Sequence, residues 1–123
     1  MYDRDLAREI LRQILWSART VLRRFAPVES PADLLASDAG LEKLDALCMQ
    51  LIAIGESVKH LDKVTHGRLL SHYPEIEWKR VMGMRDNLTH HYFDIDAEVV
   101  YATCASDIRP LATTVERILE DIS

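Results

Sequence analysis

The chain has 123 residues, 48% of them hydrophobic and 28% charged, and its formal net charge is −5. This length and composition predict one globular domain over residues 1–123. No apolar run approaches the roughly 18 residues of a membrane helix, and the charged N-terminus does not look like a secretory signal, so we expect a cytoplasmic protein with no membrane span.

The charge is unevenly distributed along the chain. Residues 1–25 carry a surplus of three positive charges, so the remaining residues have a formal net charge of −8. Arg4, Arg8 and Arg12 are four residues apart, so a helix would place them on one face. A solvated face is the ordinary interpretation, and a surface for phosphates or an acidic partner is the alternative. The overall acidity argues against broad nucleic-acid binding but not against a local phosphate site.

Apolar residues at helical spacing predict a first amphipathic helix over residues 2–26. The next segment, residues 26–40, contains two prolines and is expected to be a loop with at most one short helical turn. A second helix is predicted from about residue 41 to residue 64. Cys48 lies in this helix and Cys104 in a later one, both among apolar neighbours, which favours buried thiols over a disulfide.

The sequence of the second half of the chain indicates two more long helices. Pro74 suits the start of a third helix that continues to about residue 91. The sequence DIDAEVV opens the last helix with acidic residues, and Pro110 is expected to kink or divide it. No alternation typical of strands appears. We therefore predict an all-α, up-and-down bundle of four main helices plus one or two short helices.

An arginine interrupts the apolar face of the third predicted helix. Trp78, Val81 and Leu88 follow that face, and Arg85 falls on it. Because an unpartnered buried guanidinium is costly, we expect an internal carboxylate, a subunit interface or a cleft for an anionic ligand at this position. Glu56 is a candidate carboxylate, although a plain surface position is an equal alternative.

Two further residues near this site have more than one interpretation. Gly55 either permits close helix approach or is a tolerated defect. His90 lies five residues after Arg85, about 140° away on a straight helix. For both to reach one substrate, the helix must end or distort near residues 89–91, or the two must come from different chains. Otherwise a histidine here is a solvated cation at a helix end.

Arg85, His90 and Tyr92 form the pattern R-x4-H-x-Y. Together with LIAIGESVKHL, YPEIEW and GMRDNLTHHYFDID, it resembles the signature of HepT-like toxins, a family of HEPN-domain ribonucleases. The resemblance covers residues 41–120 well. Asp86 is polar, as the position after the arginine usually is in that family, and Glu56 in AIGES is typical of it. His91 is an additional candidate that the signature does not require.

The resemblance implies a HEPN-like homodimer that cleaves RNA, with Arg85 and His90 catalytic. A histidine can relay the proton of a 2′-hydroxyl, and an arginine can stabilise charge on the phosphoryl oxygens. Neither step needs a metal. His60, His66 and His72 do not share one helix face, so neither a metal site nor a cofactor is predicted.

The resemblance also implies a mode of regulation. Tyr92 would accept AMP from an MntA-like minimal nucleotidyltransferase antitoxin in a type VII-like toxin–antitoxin module. One alternative is a non-catalytic HEPN module that binds a nucleotide or a partner associated with a nucleotidyltransferase. Another is a structural helical dimer in which Arg85 and Glu56 form a buried pair. Without the motif, Tyr92 would be interpreted as a residue that closes the helix end against the core.

Overall fold

The structure is a computed structural model that describes residues 2–91 and 94–123, with the side chains of His90 and His91 outside the description. The described residues confirm the predicted all-α bundle. They form the α-helices α1 Arg4–Phe25, α2 Asp38–Val64, α3 Trp78–Met82, α4 Met84–Leu88, α5 Ala97–Ser106 and α6 Ile108–Asp121. They also form 3-10 turns at Pro31–Leu34 and Leu70–His72, and the antiparallel strands β1 Thr89–His91 and β2 Asp94–Ile95.

Helices α1 and α2 form a hairpin that supplies much of the core. The Asp3 carboxylate accepts from the Leu6 N–H and the Ser37 hydroxyl accepts from the Gly40 N–H, both at 3.0 Å, so each helix begins with a side-chain cap. At the other end of α1, Lys43 Nζ donates to the Arg24 carbonyl at 2.8 Å. Helix α6 packs along another side of α1.

The predicted third long helix is wrong, because the segment forms two short helices that meet at Gly83. Helix α3 begins at Trp78 rather than at Pro74, and the Trp78 indole N–H donates to the Tyr73 carbonyl at 2.8 Å. Glycine is a poor residue for a helix interior, and here it ends α3 and precedes α4. Beyond this break the buried positions are Met84 and Leu88, so the apolar face does not pass through residue 85.

The predicted last helix is divided, and the division lies at Asp107, before Pro110. Pro110 stands in the first turn of α6, where its missing N–H removes no intrahelical hydrogen bond. Asp96 caps α5, and its carboxylate accepts from the Glu98 and Val99 N–H groups at 3.1 Å. The acidic helix start is therefore as predicted.

Both cysteines are buried and free, as predicted. Burial, with a smaller contribution from Cys48, raises the pKa of the Cys104 thiol to about 12. In the part of the chain that the structure describes, no helix combines the length and the apolar character needed to cross a bilayer.

Candidate active site

Arg85 extends from the exposed side of α4 and pairs with Glu56 on α2. Its Nη2 lies 3.4 Å from Glu56 Oε1, and the two side chains are 61% and 43% exposed. Glu56 also lies 3.1 Å from Lys59 Nζ, one turn along α2. Both interpretations of Glu56 therefore hold: it faces Arg85, and it is a surface residue beside Lys59. Arg85 is therefore mostly exposed in the single chain rather than paired internally, while the subunit interface and the cleft for an anionic ligand stay predictions.

Gly55 lets α2 come close to the junction of α3 and α4. A Cβ atom at this position would lie 2.7 Å from the Val81 carbonyl oxygen and 3.1 Å from Met84 Cβ. No side chain fits there without a shift of the neighbouring backbone. Of the two interpretations of Gly55, the close helix approach is confirmed and the tolerated defect is excluded. It also explains why Glu56, the next residue, reaches the arginine of α4.

Helix α4 ends at Leu88, and the chain becomes extended at Thr89, with φ −129° and ψ 139°. The Thr89 hydroxyl donates to the Arg85 carbonyl at 3.0 Å, and the Asp96 N–H donates to the Leu88 carbonyl at 2.9 Å. Leu88 is fully buried and anchors this turn. The backbone of His90 belongs to β1, so the angle expected for a straight helix does not apply. The distortion required between Arg85 and His90 is present.

The structure therefore brings together part of the predicted site. Arg85 and Glu56 are in contact, and Asp86, the next residue of α4, is exposed. The side chains of His90 and His91, and the whole of Tyr92, lie outside the described residues. An exposed guanidinium beside a single carboxylate can bind a phosphate group through charge-assisted hydrogen bonds, in competition with that carboxylate.

A groove of about 660 Å³ lies beside α4 and was not predicted from the sequence. Its lining includes Met84, Asn87 and Leu88 of α4 and residues of α5 and α6. Asn87 is about 200° from Arg85 around α4, so the groove opens on a different side of the helix. Glu75, Glu77 and Asp107 line it together with one cation, Arg80, which lies 3.4 Å from Asp107, so its charged lining is acidic on balance. Its walls come from segments far apart in sequence, so no local pattern could reveal it.

The chain matches a known family and several related proteins. The family model described as ribonuclease HepT-like matches residues 9–118. A Methanocaldococcus jannaschii protein provisionally named an RNase is 32% identical over 77 residues, which are 63% of this chain and 60% of the relative. A Thermococcus cleftensis protein provisionally named ribonuclease HepT is 36% identical over 73 residues, 59% of this chain and 63% of the relative.

A third relative, from Caldanaerobacter subterraneus, is also provisionally named an RNase. It is 33% identical over 75 residues, 61% of this chain and 63% of the relative. The chain thus spans less than two thirds of the length of these relatives. No solved structure matches the chain significantly.

Proposed function

The chain belongs to the HepT-like ribonuclease family, and from this premise we propose that it is a metal-independent endoribonuclease in which Arg85 and His90 act on one phosphodiester. The observation that carries the proposal is the end of α4 at Leu88. An exposed arginine precedes this buried residue, and the backbone of a histidine in a hairpin follows it. A continuous helix would have separated the two by about 140°.

The proposed reaction is an internal transfer at phosphorus. The 2′-oxygen of one nucleotide forms a bond to the adjacent phosphorus while the bond to the 5′-oxygen of the next nucleotide breaks, which leaves a 2′,3′-cyclic phosphate and a 5′-hydroxyl. His90 relays the proton between the attacking and leaving oxygens. Arg85 donates hydrogen bonds to the non-bridging oxygens, on which negative charge grows in the transition state.

Three other residues have supporting roles in this proposal. Glu56 holds the Arg85 guanidinium in place before substrate arrives. Asp86 is an exposed polar neighbour at the next position of α4, and His91 is a second candidate for proton transfer. The exposure of Arg85 is compatible with an incoming strand, since a guanidinium with 61% exposure needs no opening of the core.

We propose that the working site lies between two copies of the chain. The arginines of two α4 helices would line a shared groove, where like charges repel unless an anion lies between them. A phosphodiester supplies that anion. His90 of one copy would then act beside Arg85 of either copy.

We propose further that the protein is the toxin of a type VII-like module and that AMP transfer to Tyr92 silences it. The donor enzyme would be an MntA-like minimal nucleotidyltransferase antitoxin. A phosphate-bearing group at Tyr92 would block RNA and compete for Arg85. Intact mass after co-expression with such an enzyme tests this: mass should rise in steps of one adenylate, and Tyr92→Phe should show no increase.

Cleavage itself is tested with purified protein and RNA in excess chelator. We expect Arg85→Ala and His90→Ala to lower the cleavage rate by about 100-fold or more, because each removes a group that acts in the transition state. Arg68→Ala, which removes an exposed arginine elsewhere, is the matched control. Circular dichroism checks folding.

The result that ends the proposal is full cleavage by a folded Arg85→Ala, His90→Ala double variant. RNA binding by the unaltered protein without any product would favour the non-catalytic module instead. If the unaltered protein cleaves RNA without chelator but not with it, the protein is a nuclease but the metal-independent mechanism is refuted.

A further inference from the structure

Helix α1 presents an exposed tryptophan between arginines on its solvent side. Arg12, Trp16, Arg19 and Arg23 follow one another at helical spacing, and we call this set the Trp16 ridge. Trp16 is 60% exposed, and it is the one aromatic residue among the exposed large hydrophobic residues of the described chain. A single exposed apolar residue is ordinary, so the flanking charges decide what this surface can bind.

The arginines of the Trp16 ridge are largely free to bind an anion. Neither Arg12 nor Arg23 forms an ion pair with any described residue. Arg19 has only a loose contact with Glu116, 3.6 Å between two half-exposed side chains. By contrast, Arg8 pairs with Asp5 and donates to the Ile122 carbonyl at 3.1 Å, so the Arg4, Arg8 and Arg12 stripe suggested by the sequence is not one free surface.

The ridge borders a shallow depression on α1 of about 370 Å³. Thr20 lines it between Trp16 and Arg23, and the buried Thr20 hydroxyl has no hydrogen-bond partner in the structure as described. A threonine in a helix ordinarily bonds the carbonyl one turn before it. This part of the helix therefore combines an exposed indole, unpaired guanidinium groups and an unsatisfied hydroxyl.

We infer that the Trp16 ridge binds single-stranded RNA. An unpaired base has a free face that can stack on an indole, and arginines on either side can bind the flanking phosphates. Arg12 and Arg23 are eleven residues apart, about 16 Å along a helix, which is long enough to contact several phosphates of one strand. This inference rests on the proposed function to the extent that RNA is the substrate.

The distribution of charge favours RNA over other partners. The chain outside residues 1–25 carries −8, so a polyanion is repelled from much of the surface and can approach along α1. A second copy of the same ridge would repel this one. The one cation that lines the groove beside α4, Arg80, is paired with Asp107, whereas Arg12 and Arg23 of the ridge have no ion-pair partner among the described residues.

The ridge and the Arg85 site belong to different surfaces of the bundle. Helix α1 packs against α2 and α6, while α4 packs against α2 and α5. Contacts between the ridge and an RNA strand therefore increase the affinity for RNA without touching the phosphodiester that reacts. Removing the ridge contacts is expected to raise KM for a long RNA substrate about tenfold.

Binding is tested in an Arg85→Ala background, where we expect the labelled RNA to stay intact. Fluorescence anisotropy with a short single-stranded RNA should give a Kd about tenfold weaker for Trp16→Ala and for Arg12→Gln, Arg23→Gln. Trp16→Phe should retain most of the affinity, since a ring remains for stacking. Arg68→Gln makes the same change at an exposed arginine outside the ridge and should bind as the unaltered protein does.

Salt dependence separates the two kinds of contact. The slope of log Kd against log salt should fall by about 1.4 in the double arginine variant, roughly 0.7 for each of the two lost phosphate contacts, and it should not change in Trp16→Ala. RNA binding by folded ridge variants equal to that of the unaltered protein would overturn the inference. Polyglutamate is tested in parallel as a probe for acidic proteins. Ridge variants that bind polyglutamate more weakly but bind RNA normally would also overturn the inference and would assign the ridge to an acidic protein partner.

Cleavage by the chain without substitutions is measured in parallel, so that two failures can be told apart. Ridge-dependent binding without any cleavage would refute the proposed function and support the inference. Cleavage together with ridge-independent binding would support the function and overturn the inference.

Discussion

At the scale of single residues, Arg85 and Leu88 are three positions apart on α4 and have opposite environments. Arg85 is mostly solvated and shares its carboxylate partner with Lys59, whereas Leu88 is fully buried. Solvated ion pairs contribute little to stability, since water screens them and long side chains lose entropy when they are held. Arg85 is thus available for binding, while Leu88 holds the turn that presents it.

We therefore expect Arg85→Ala to lower the free energy of unfolding by less than about 1 kcal/mol. Leu88→Ala should lower it by about 2–5 kcal/mol, because it removes buried apolar volume. Urea denaturation of both variants measures the difference. Equal losses would show that Arg85 is mainly structural and would weaken its assignment to catalysis.

The candidate residues of this site come from the sequence and their roles stay predictions, whereas the exposure of Arg85 needed the structure. The pattern R-x4-H-x-Y selects the residues directly. Periodicity placed Arg85 on the apolar face, whereas the buried positions of this segment are Val81, Met84 and Leu88, which leaves residue 85 at the edge of the buried stripe. Contact with Glu56 was one of two equal alternatives, because only the packing of α2 against α4 decides it.

At the scale of elements, the long helices were predictable and the segment around the site was not. Helices α1 and α2 have wide apolar faces over many turns, so errors are confined to their ends. The chain from Trp78 to Ile95 divides into pieces of two to five residues. Such pieces are too short to show a period, and β1 and β2 pair through an irregular register that no alternation announces.

Gly55 on α2 and Gly83 between α3 and α4 give a matched test of how closely these helices pack. Gly55→Ala would place a Cβ 2.7 Å from the Val81 carbonyl oxygen, so α2 and α3 must separate. Gly83→Ala meets nothing closer than 3.5 Å, and its φ of −88° suits any residue. We expect Gly55→Ala to lower both Tm and RNA cleavage, because Glu56 and α4 move apart, and Gly83→Ala to leave Tm nearly unchanged or raise it slightly.

Thermal unfolding and a cleavage assay on both variants provide the measurement. Equal behaviour of the two alanine variants would mean that the close approach at Gly55 does not position α4.

At the scale of the whole molecule, the C-terminal helix closes the bundle. The Tyr73 hydroxyl donates to the Asp121 carboxylate at 2.6 Å, and Arg117 pairs with Glu75. The pKa of Tyr73 is raised to about 12, chiefly by burial and then by its hydrogen bond to Asp121. The pKa of Cys104 is also raised to about 12.

These two shifts have the same consequence for stability. Both groups lose a proton to become negative, and the native state holds that proton more tightly than the unfolded chain does. Their contribution is complete below the ordinary pKa values of 9.0 for cysteine and 10.0 for tyrosine, and it is lost as pH rises toward about 12. We expect Tm to fall across that interval.

A Tyr73→Phe, Cys104→Ala variant is the control for this pH dependence. It should have a lower Tm near neutral pH and a smaller further decrease in alkali. A decrease as steep as that of the unaltered protein would assign the alkaline loss to other groups. The bundle architecture could be predicted from helix number and length, but these long-range contacts could not, since each joins residues more than 40 positions apart in sequence.

Glu56 lies between Arg85 and Lys59, so the anion bound to the Arg85 guanidinium can be exchanged. In the proposed mechanism, before RNA binds, the Glu56 carboxylate occupies the place on Arg85 that a phosphoryl oxygen would take, which keeps the long side chain oriented. When a phosphate displaces it, the carboxylate still has Lys59 within 3.1 Å and is not left without a cation. In the proposed reaction, one anion thus replaces another on Arg85, and the excess positive charge that Arg85 and Lys59 share over Glu56 favours the incoming phosphate.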